Sequence, residues 1–244
     1  GADGGSVLED IWTMKLPRPQ VALLRGLCEH LQHEHFVTVR SLIRERTIDM
    51  GQQWTIEASD EKHLVLPRWM HHPGLLQPEA DGELMVTMHT HPRAAVTQAL
   101  DWVRNLRRRH QHAKTNPLLY VPSEADVNNM LLLGMHVHVV ITPFHWFICH
   151  VPKPSEPTKL RWDMRSLLAE SESHHKTVDD WVRAMNAQCD NFAVALLPSD
   201  RLNFDFGSTA SEVSWVRYDT THMFLEIDFA RVKATGGAAL TDTW

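Results

Sequence analysis

Runs of apolar residues, broken at prolines and glycines, divide the first half of the chain into short elements. Pro17 and Pro19 precede apolar residues at helical spacing, which predicts a helix over 20–31. The β-branched run at 36–43 is typical of a strand. The pattern also predicts a strand over 7–14, one or two strands over 53–67, a loop over 71–82 and a strand over 84–88.

The second half of the chain continues with helices and strands in mixed order. The pattern predicts a helix from 122 that ends at Gly134, and two apolar runs joined at Pro143 predict a hairpin. The other predicted elements are a helical core over 99–109, an extended piece over 118–121, strands over 137–142 and 146–151, helices near 160–172 and 177–188, and strands over 213–218 and 222–229. This order predicts an α/β or α+β fold.

The length of 244 residues suits one large domain, or one domain with an extension. A proline-rich segment at 153–159 predicts a linker between a first domain at 7–152 and a C-terminal α/β extension at 153–244. We expect the extension to pack on the first domain. No apolar run approaches the length of a membrane span, so no membrane partner is expected.

Charge and cysteine content narrow the class of protein. The net charge of −6 argues against a surface devoted to nucleic acid, although local basic patches remain compatible with it. The three cysteines, Cys28, Cys149 and Cys189, are far apart in the sequence and form no Cys-x-x-Cys motif. This pattern favours a reducing intracellular compartment. The cytoplasm or the nucleus is expected, or an organelle if an N-terminal targeting segment has been removed.

The His-Thr-His-Pro motif at 89–92 is the strongest candidate for chemistry. Chance placement of 17 histidines in 244 residues gives about one His-x-His pair, and the sequence has four, so the spacing alone carries little information. This pair differs because an apolar strand precedes it and a proline follows it. Its histidines point to the same face of a strand, and neutral imidazole binds zinc. For His136 and His138 we predict core or edge positions rather than metal ligation.

A second motif, Ser123-x-x-Asp126, begins 32 residues after His91 and opens a helix. With the His-x-His-Pro motif and the strand pair near Pro143, it resembles the JAMM/MPN+ family, zinc metalloproteases that include isopeptidases acting on ubiquitin and related modifiers. The matching segments are MVTMHTHP at 85–92 and VPSEADVNNMLLLGMHVHVVITP at 121–143. The resemblance covers roughly residues 7–151 and implies an MPN-type mixed sheet flanked by helices.

The resemblance implies a role for each motif residue. His89 and His91 would be zinc ligands, and Asp126 would be the third ligand through a carboxylate oxygen. Ser123 would hydrogen-bond the substrate carbonyl oxygen and help to hold the oxyanion. The implied cofactor is Zn²⁺ with its fourth position open, as catalysis requires. Ser123 and Asp126 also form an ordinary helix cap, and the two roles are compatible.

The family also uses a glutamate as general base, after its first helix and at the start of a strand. Glu34 occupies that place, between the helix at 20–31 and the strand at 36–43. A carboxylate near the metal could take a proton from water and pass it to the leaving amine. Glu57 and Glu45 are the alternatives.

The segment 93–122 is longer than the resemblance implies by about two dozen residues, which is a thermodynamically tolerable loop length. We predict a helical insertion beside the site, where it could gate access, contribute to substrate choice or dock a partner. Its basic run, Arg107–Arg109, is typical of a solvated helix face, with contact to RNA or an acidic protein as the alternative.

Two functions are consistent with these features. The first is a zinc-dependent metalloprotease or isopeptidase of the JAMM type that hydrolyses a peptide or isopeptide bond of a ubiquitin or ubiquitin-like substrate. The second is an MPN-like scaffold subunit, with little or no activity, of a larger protein or ribonucleoprotein assembly. Protein partners in a complex are expected under both hypotheses, because members of the family often work inside complexes.

Overall fold

One mixed sheet of nine strands organises the part of the chain that the structure describes. The structure is a computed structural model that describes residues 13–30, 33–45, 47–58, 76–77, 81–93, 95–96, 115–199, 216–219 and 224–236. The strands are β1 (Thr13–Lys15), β2 (His35–Arg44), β3 (Thr47–Ala58), β4 (Glu83–Thr90), β5 (Val137–Ile141), β6 (His145–His150), β7 (Ala193–Pro198), β8 (Val216–Asp219) and β9 (Phe224–Ile227). They follow the order β7-β6-β5-β4-β2-β3-β1-β9-β8, so the predicted α+β class is confirmed.

Most of the helices begin after a residue whose side chain accepts from a backbone N–H of the first turn. They are α1 (Arg18–His30), a 3₁₀ helix (Pro117–Tyr120), α2 (Glu124–Leu133), α3 (Met164–Ser173), α4 (Val178–Gln188) and α5 (Phe229–Thr235). Thr177 caps α4 as predicted, and Gly134 ends α2 with a left-handed φ of 61°. Among the described residues, no helix combines the length and apolar character needed to cross a bilayer.

Strand β4 occupies an interior position in the sheet, which explains its buried character. It pairs antiparallel with β2 and parallel with β5. Leu84, Val86 and Met88 face one core, whereas Thr87 and His89 lie on the opposite face. The alternation therefore directs the histidine of β4 away from the first core, toward the face that α2 covers.

Two apolar cores cover the two faces of the sheet. One core joins α1 and α5 to the sheet through residues such as Leu24, Val86 and Phe229. The other joins α2, α3 and α4 to the sheet, with Val127 and Trp181 among its buried members. The C-terminal extension contributes to both cores, and its strands β7 and β9 pair with β6 and β1.

Two predictions of secondary structure are corrected by capping contacts, and two strands differ from the predicted pattern. The piece at 118–121 was predicted to be extended, but Pro117–Tyr120 is a 3₁₀ helix because the Asn116 side chain accepts from Leu118 N. The strand predicted to reach Phe229 ends at Ile227, because Asp228 caps a helix. Strand β7 was not predicted, and β3 is longer than the predicted run. The predicted elements at 7–12, 63–67 and 99–109 lie outside the described residues.

Two buried histidines should make the protein sensitive to mild acid. Burial lowers the pKa of His136 to about 4, and burial together with the charge of His136 lowers the pKa of His150 to about 3. Since the unfolded histidines titrate near pH 6.5, the unfolded chain binds these protons first as the pH falls. Stability is therefore expected to fall from about pH 6.5 downward, by up to about 1.4 kcal/mol per pH unit for each group.

Urea unfolding between pH 7.5 and 4.5 tests this expectation. His150→Asn is the informative variant, because its amide can still donate to the carbonyl oxygen of His136 that His150 Nδ1 contacts at 3.0 Å. The variant should lose roughly half of the pH dependence of the unfolding free energy that the two histidines produce. An unchanged pH dependence of the unfolding free energy would show that His150 is protonated in the folded protein near pH 6.

Candidate metal centre

Two elements from distant parts of the sequence deliver the three side chains of the site. His89 lies in β4, and His91 follows directly after the strand, with its backbone N–H donating to Ile141 O at 2.8 Å. This bond keeps the backbone at His91 aligned with β5, so both imidazoles reach the same end of the sheet. Asp126 comes from the first turn of α2 and meets them there.

The geometry of the three ligand atoms fits a small cation with tetrahedral coordination. His89 Nε2 and His91 Nε2 are 3.0 Å apart, and they lie 3.3 Å and 3.2 Å from Asp126 Oδ2. Metal–ligand bonds of about 2.0–2.1 Å at tetrahedral angles place ligand atoms roughly 3.3 Å apart. Two imidazole lone pairs at 3.0 Å repel each other unless a proton or a cation lies between them. The buried His-His-Asp group can therefore hold a metal ion.

The other ring nitrogen of each histidine has a partner of its own. His89 Nδ1 lies 2.7 Å from His138 Nε2, and His91 Nδ1 lies 3.0 Å from Tyr120 O. A carbonyl oxygen only accepts, so the proton of neutral His91 is on Nδ1 and its Nε2 is left with a lone pair toward Asp126. Such outer contacts orient metal-ligating imidazoles in proteins.

The electrostatics of the site favour a positive charge between the two histidines and Asp126. Burial alone raises the pKa of Asp126, but the facing imidazoles of His89 and His91 hold it well below its usual range. Burial alone lowers the pKa of His91, but the hydrogen bond and charge of Asp126, with smaller effects of Glu34 and Tyr120 O, raise it to about 9. A site that retains a proton this strongly also attracts a cation, which would compete with that proton.

The structure places Ser123 and Glu34 next to this group. Ser123 is exposed and caps α2: its Oγ accepts from Asp126 N at 3.1 Å, and its N–H donates to Asp126 Oδ2 at 2.8 Å. The hydroxyl hydrogen of Ser123 is not used by this cap and can donate to a bound molecule. Glu34 precedes β2, and its Oε1 lies 4.0 Å from His91 Nε2 with the side chain 34% exposed.

The backbones of the alternative glutamates lie farther from the ligand group than the backbone of Glu34. Glu45 follows the opposite end of β2, roughly 30 Å from the site at the rise of an extended strand. Glu57 pairs with Phe36 on β3, and β2 separates that strand from β4, a distance of roughly 10 Å between strand axes. The Glu57 side chain is outside the described residues. Glu34 is therefore the best placed of the three glutamates.

Sequence reasoning did not find the side chains behind His89. His138 was predicted to occupy a core or edge position, and it is buried and does not join the ligand group. It nevertheless contacts His89 Nδ1 directly, and its own Nδ1 lies 2.6 Å from Thr87 Oγ1. The only sequence signal was that His136 and His138 form another His-x-His pair. Which residues they would contact depends on the strand order and register of the sheet.

The two ends of the predicted insertion flank the site. Arg93 packs over the ring of Phe144, with its guanidinium carbon 4.8 Å from the ring centroid, and lies 3.8 Å from Glu29 Oε2 of α1. At the other end, Tyr120 belongs to the 3₁₀ helix and also contacts Phe144. Residues 97–114, including the predicted helix and Arg107–Arg109, lie outside the described residues. The described ends return to the same side of the sheet as His91.

Residues of the C-terminal extension contact the start of α2 and hold it in place. Trp162 Nε1 donates to Pro122 O at 2.9 Å, and Trp162 N donates to Glu124 Oε2 at 2.9 Å. Arg161 adds an ion pair to Glu124 at 3.2 Å. These contacts bracket Ser123, so the extension helps to position the segment that carries Ser123 and Asp126.

A Trp162→Phe variant tests this coupling. It removes one hydrogen bond. This loss should lower the free energy of unfolding by about 1 kcal/mol and the melting temperature by about 2–4 °C for a chain of this size. We expect it also to weaken Zn²⁺ binding several-fold, because Asp126 moves with the start of α2. Trp54→Phe is the matched control: Trp54 Nε1 donates to Met50 O in β3, away from the site. Equal zinc affinity in the two variants would mean that Trp162 contributes only stability.

Comparison with protein-family models, with curated proteins and with solved structures found no match to this chain. The class of site is therefore defined by its own geometry. It is a buried group of two histidines and one aspartate that can hold a metal ion, within an α+β fold.

Proposed function

We propose that the chain is a zinc-dependent metallohydrolase of the JAMM type that cleaves a peptide or isopeptide bond. The observation that carries the proposal is the triangle of His89 Nε2, His91 Nε2 and Asp126 Oδ2, with edges of 3.0–3.3 Å. Two imidazoles and one carboxylate are three protein ligands, and they leave a fourth tetrahedral position for water or substrate, as in catalytic zinc sites. The proposal rests on this local arrangement rather than on overall similarity.

The residues around the triangle supply the remaining chemical functions. When bound, Zn²⁺ lowers the pKa of a water molecule and polarises the scissile carbonyl. Glu34, with its carboxylate 4.0 Å from His91 Nε2, takes a proton from the attacking water and delivers it to the leaving amine. Ser123 donates its hydroxyl hydrogen to the oxyanion, while Asp126 N holds its oxygen in place.

The substrate that we propose is the bond between a ubiquitin or ubiquitin-like protein and its target. It follows from the resemblance of the motifs at 85–92 and 121–143, which join the three ligands, the serine and the helix start in the order typical of such isopeptidases. The insertion at 93–122 begins and ends beside the site, so it is well placed to select among substrates. We propose that the protein works in a complex inside the cell.

The test couples metal analysis to cleavage of a panel of di-ubiquitin linkages. Purified protein should contain near-stoichiometric zinc and should cleave at least one linkage in a manner that a chelator abolishes and added zinc restores. Protein that binds no zinc would overturn the proposal. Protein that binds zinc and cleaves no linkage, alone or with cell extract added to supply partners, would favour the second function, an MPN-like scaffold subunit.

A further inference from the structure

A short chain of buried polar side chains lies behind His89, at the ring nitrogen that does not face Asp126. His89 Nδ1 is 2.7 Å from His138 Nε2, and His138 Nδ1 is 2.6 Å from Thr87 Oγ1. The Thr87 hydroxyl in turn donates toward the sulfur of Met135 at 3.9 Å. Thr87, His89 and His138 are each at most 3% exposed. Water therefore cannot replace any of these partners without opening the core.

The hydrogen bonds that link His89, His138 and Thr87 can run in two directions, and one of them is compatible with metal binding. A ligating Nε2 of His89 must carry a lone pair, so the proton of neutral His89 is on Nδ1 and is donated to His138 Nε2. Neutral His138 then carries its own proton on Nδ1 and donates it to Thr87 Oγ1. The Thr87 hydroxyl hydrogen remains for the sulfur of Met135, a weak acceptor. The reverse direction would put a proton on His89 Nε2, where it would block the ligand position.

Sheet register explains why these residues meet. Strands β4 and β5 are parallel, and Thr87 pairs with His138 while His89 pairs with Val140. Residues 87 and 89 share one face of β4, and 138 lies on the same face of β5. A buried pair of strands is rigid, so it holds the distance between the two imidazoles better than a loop would.

We propose that His138 and Thr87 are positioning residues that hold His89 in its Nδ1-protonated tautomer and so keep its Nε2 available as a metal ligand. The inference rests on the metal-dependent function proposed for the same site. Thr87 acts through His138, and neither residue contacts the metal or the substrate. A role in core packing alone would affect stability without affecting the tautomer of His89 or the affinity for metal.

Nitrogen-15 NMR of the histidine rings tests the tautomer directly in the metal-free protein. The wild-type protein should show His89 and His138 protonated on Nδ1. In Thr87→Val, which removes the hydroxyl at nearly constant volume, the preference of His138 for this tautomer should be lost. Thr87→Ser retains the hydroxyl and should resemble the wild type. His89 protonated on Nε2 and not on Nδ1 in the wild-type protein would overturn the proposal.

Zinc affinity, measured by competition with a chromogenic chelator, gives an independent readout. His138→Leu should weaken Zn²⁺ binding by about 10–100-fold, the usual cost of losing an outer partner of a metal-ligating histidine. His138→Gln can still accept from His89 Nδ1–H and should recover most of the affinity. Thr87→Val should lie between the wild type and His138→Leu, and it carries the test if His138→Leu does not fold.

The outcomes separate this inference from the proposed function. Unchanged zinc affinity in both His138→Leu and Thr87→Val would overturn the positioning role while the hydrolase proposal stood. Weakened affinity in those variants, with no cleavage of any substrate by the wild type, would leave the positioning role standing and reject the hydrolase. Absence of zinc binding in the wild-type protein would overturn both.

Discussion

A His89→Ala variant is expected to bind no zinc at unit stoichiometry and to melt at a temperature that added zinc does not change. In the wild type, a metal that binds only the native state stabilises it by about 4 kcal/mol when free metal is a thousandfold above Kd. For a chain of this length that corresponds to an increase on the order of 10 °C. Elemental analysis and thermal unfolding with and without zinc measure both effects.

His174→Ala provides the matched control, because it removes the same side chain from an exposed position at the end of α3. It should retain zinc and the zinc-dependent increase in melting temperature. Full metal content together with an unchanged zinc response in His89→Ala would mean that the ligands are wrongly assigned. Loss of zinc by both variants would instead indicate that zinc binds nonspecifically to the histidines of this protein.

A Glu34→Gln variant should lose hydrolysis while it keeps zinc. Glutamine preserves the shape of the side chain but cannot take up a proton, so the loss in kcat is expected to be about 10²–10⁴-fold, the usual contribution of a general base. KM and zinc content should change little, because Glu34 Oε1 is 4.0 Å from His91 Nε2 and the three ligands remain. Steady-state cleavage of the best di-ubiquitin substrate is the measurement.

Glu45→Gln and Glu57→Gln complete the comparison, since these glutamates were the alternatives for the base. Neither substitution should change kcat, because Glu45 follows the opposite end of β2 and Glu57 lies on β3, beyond β2 from the site. A loss of activity in Glu57→Gln with an active Glu34→Gln would transfer the role of base to Glu57. Loss of zinc from Glu34→Gln would show that Glu34 supports the metal rather than the proton transfer.

Features that depend on neighbouring residues could be predicted from the sequence. Thr177 and Gly134 were recognised as helix boundaries because caps involve only residues within one turn. The hairpin of β5 and β6 was predicted because two apolar runs flank a turn. Ser123 and Asp126 form their capping box as the motif implies. Each of these signals is local, so no knowledge of the tertiary structure was needed.

Features that depend on distant partners were missed. Strand β7 escaped prediction because a six-residue apolar run is ambiguous until β6 pairs with it. The contact between His89 and His138 joins residues 49 apart, and the contact of Trp162 with Pro122 joins residues 40 apart. Neither contact has a spacing or composition that marks it, because sheet order and helix packing bring the partners together.

The sequence by itself determined which chemical groups are present and which of them are local neighbours: the two histidines at the end of a strand, and the serine and aspartate at the start of a helix. Only the tertiary structure decided that these two segments meet with ligand atoms 3.0–3.3 Å apart, that Glu34 lies beside them and that His138 backs His89. The physical reason is that a metal site needs distances set by strand pairing and core packing. These are cooperative properties of the whole fold, which no short segment encodes.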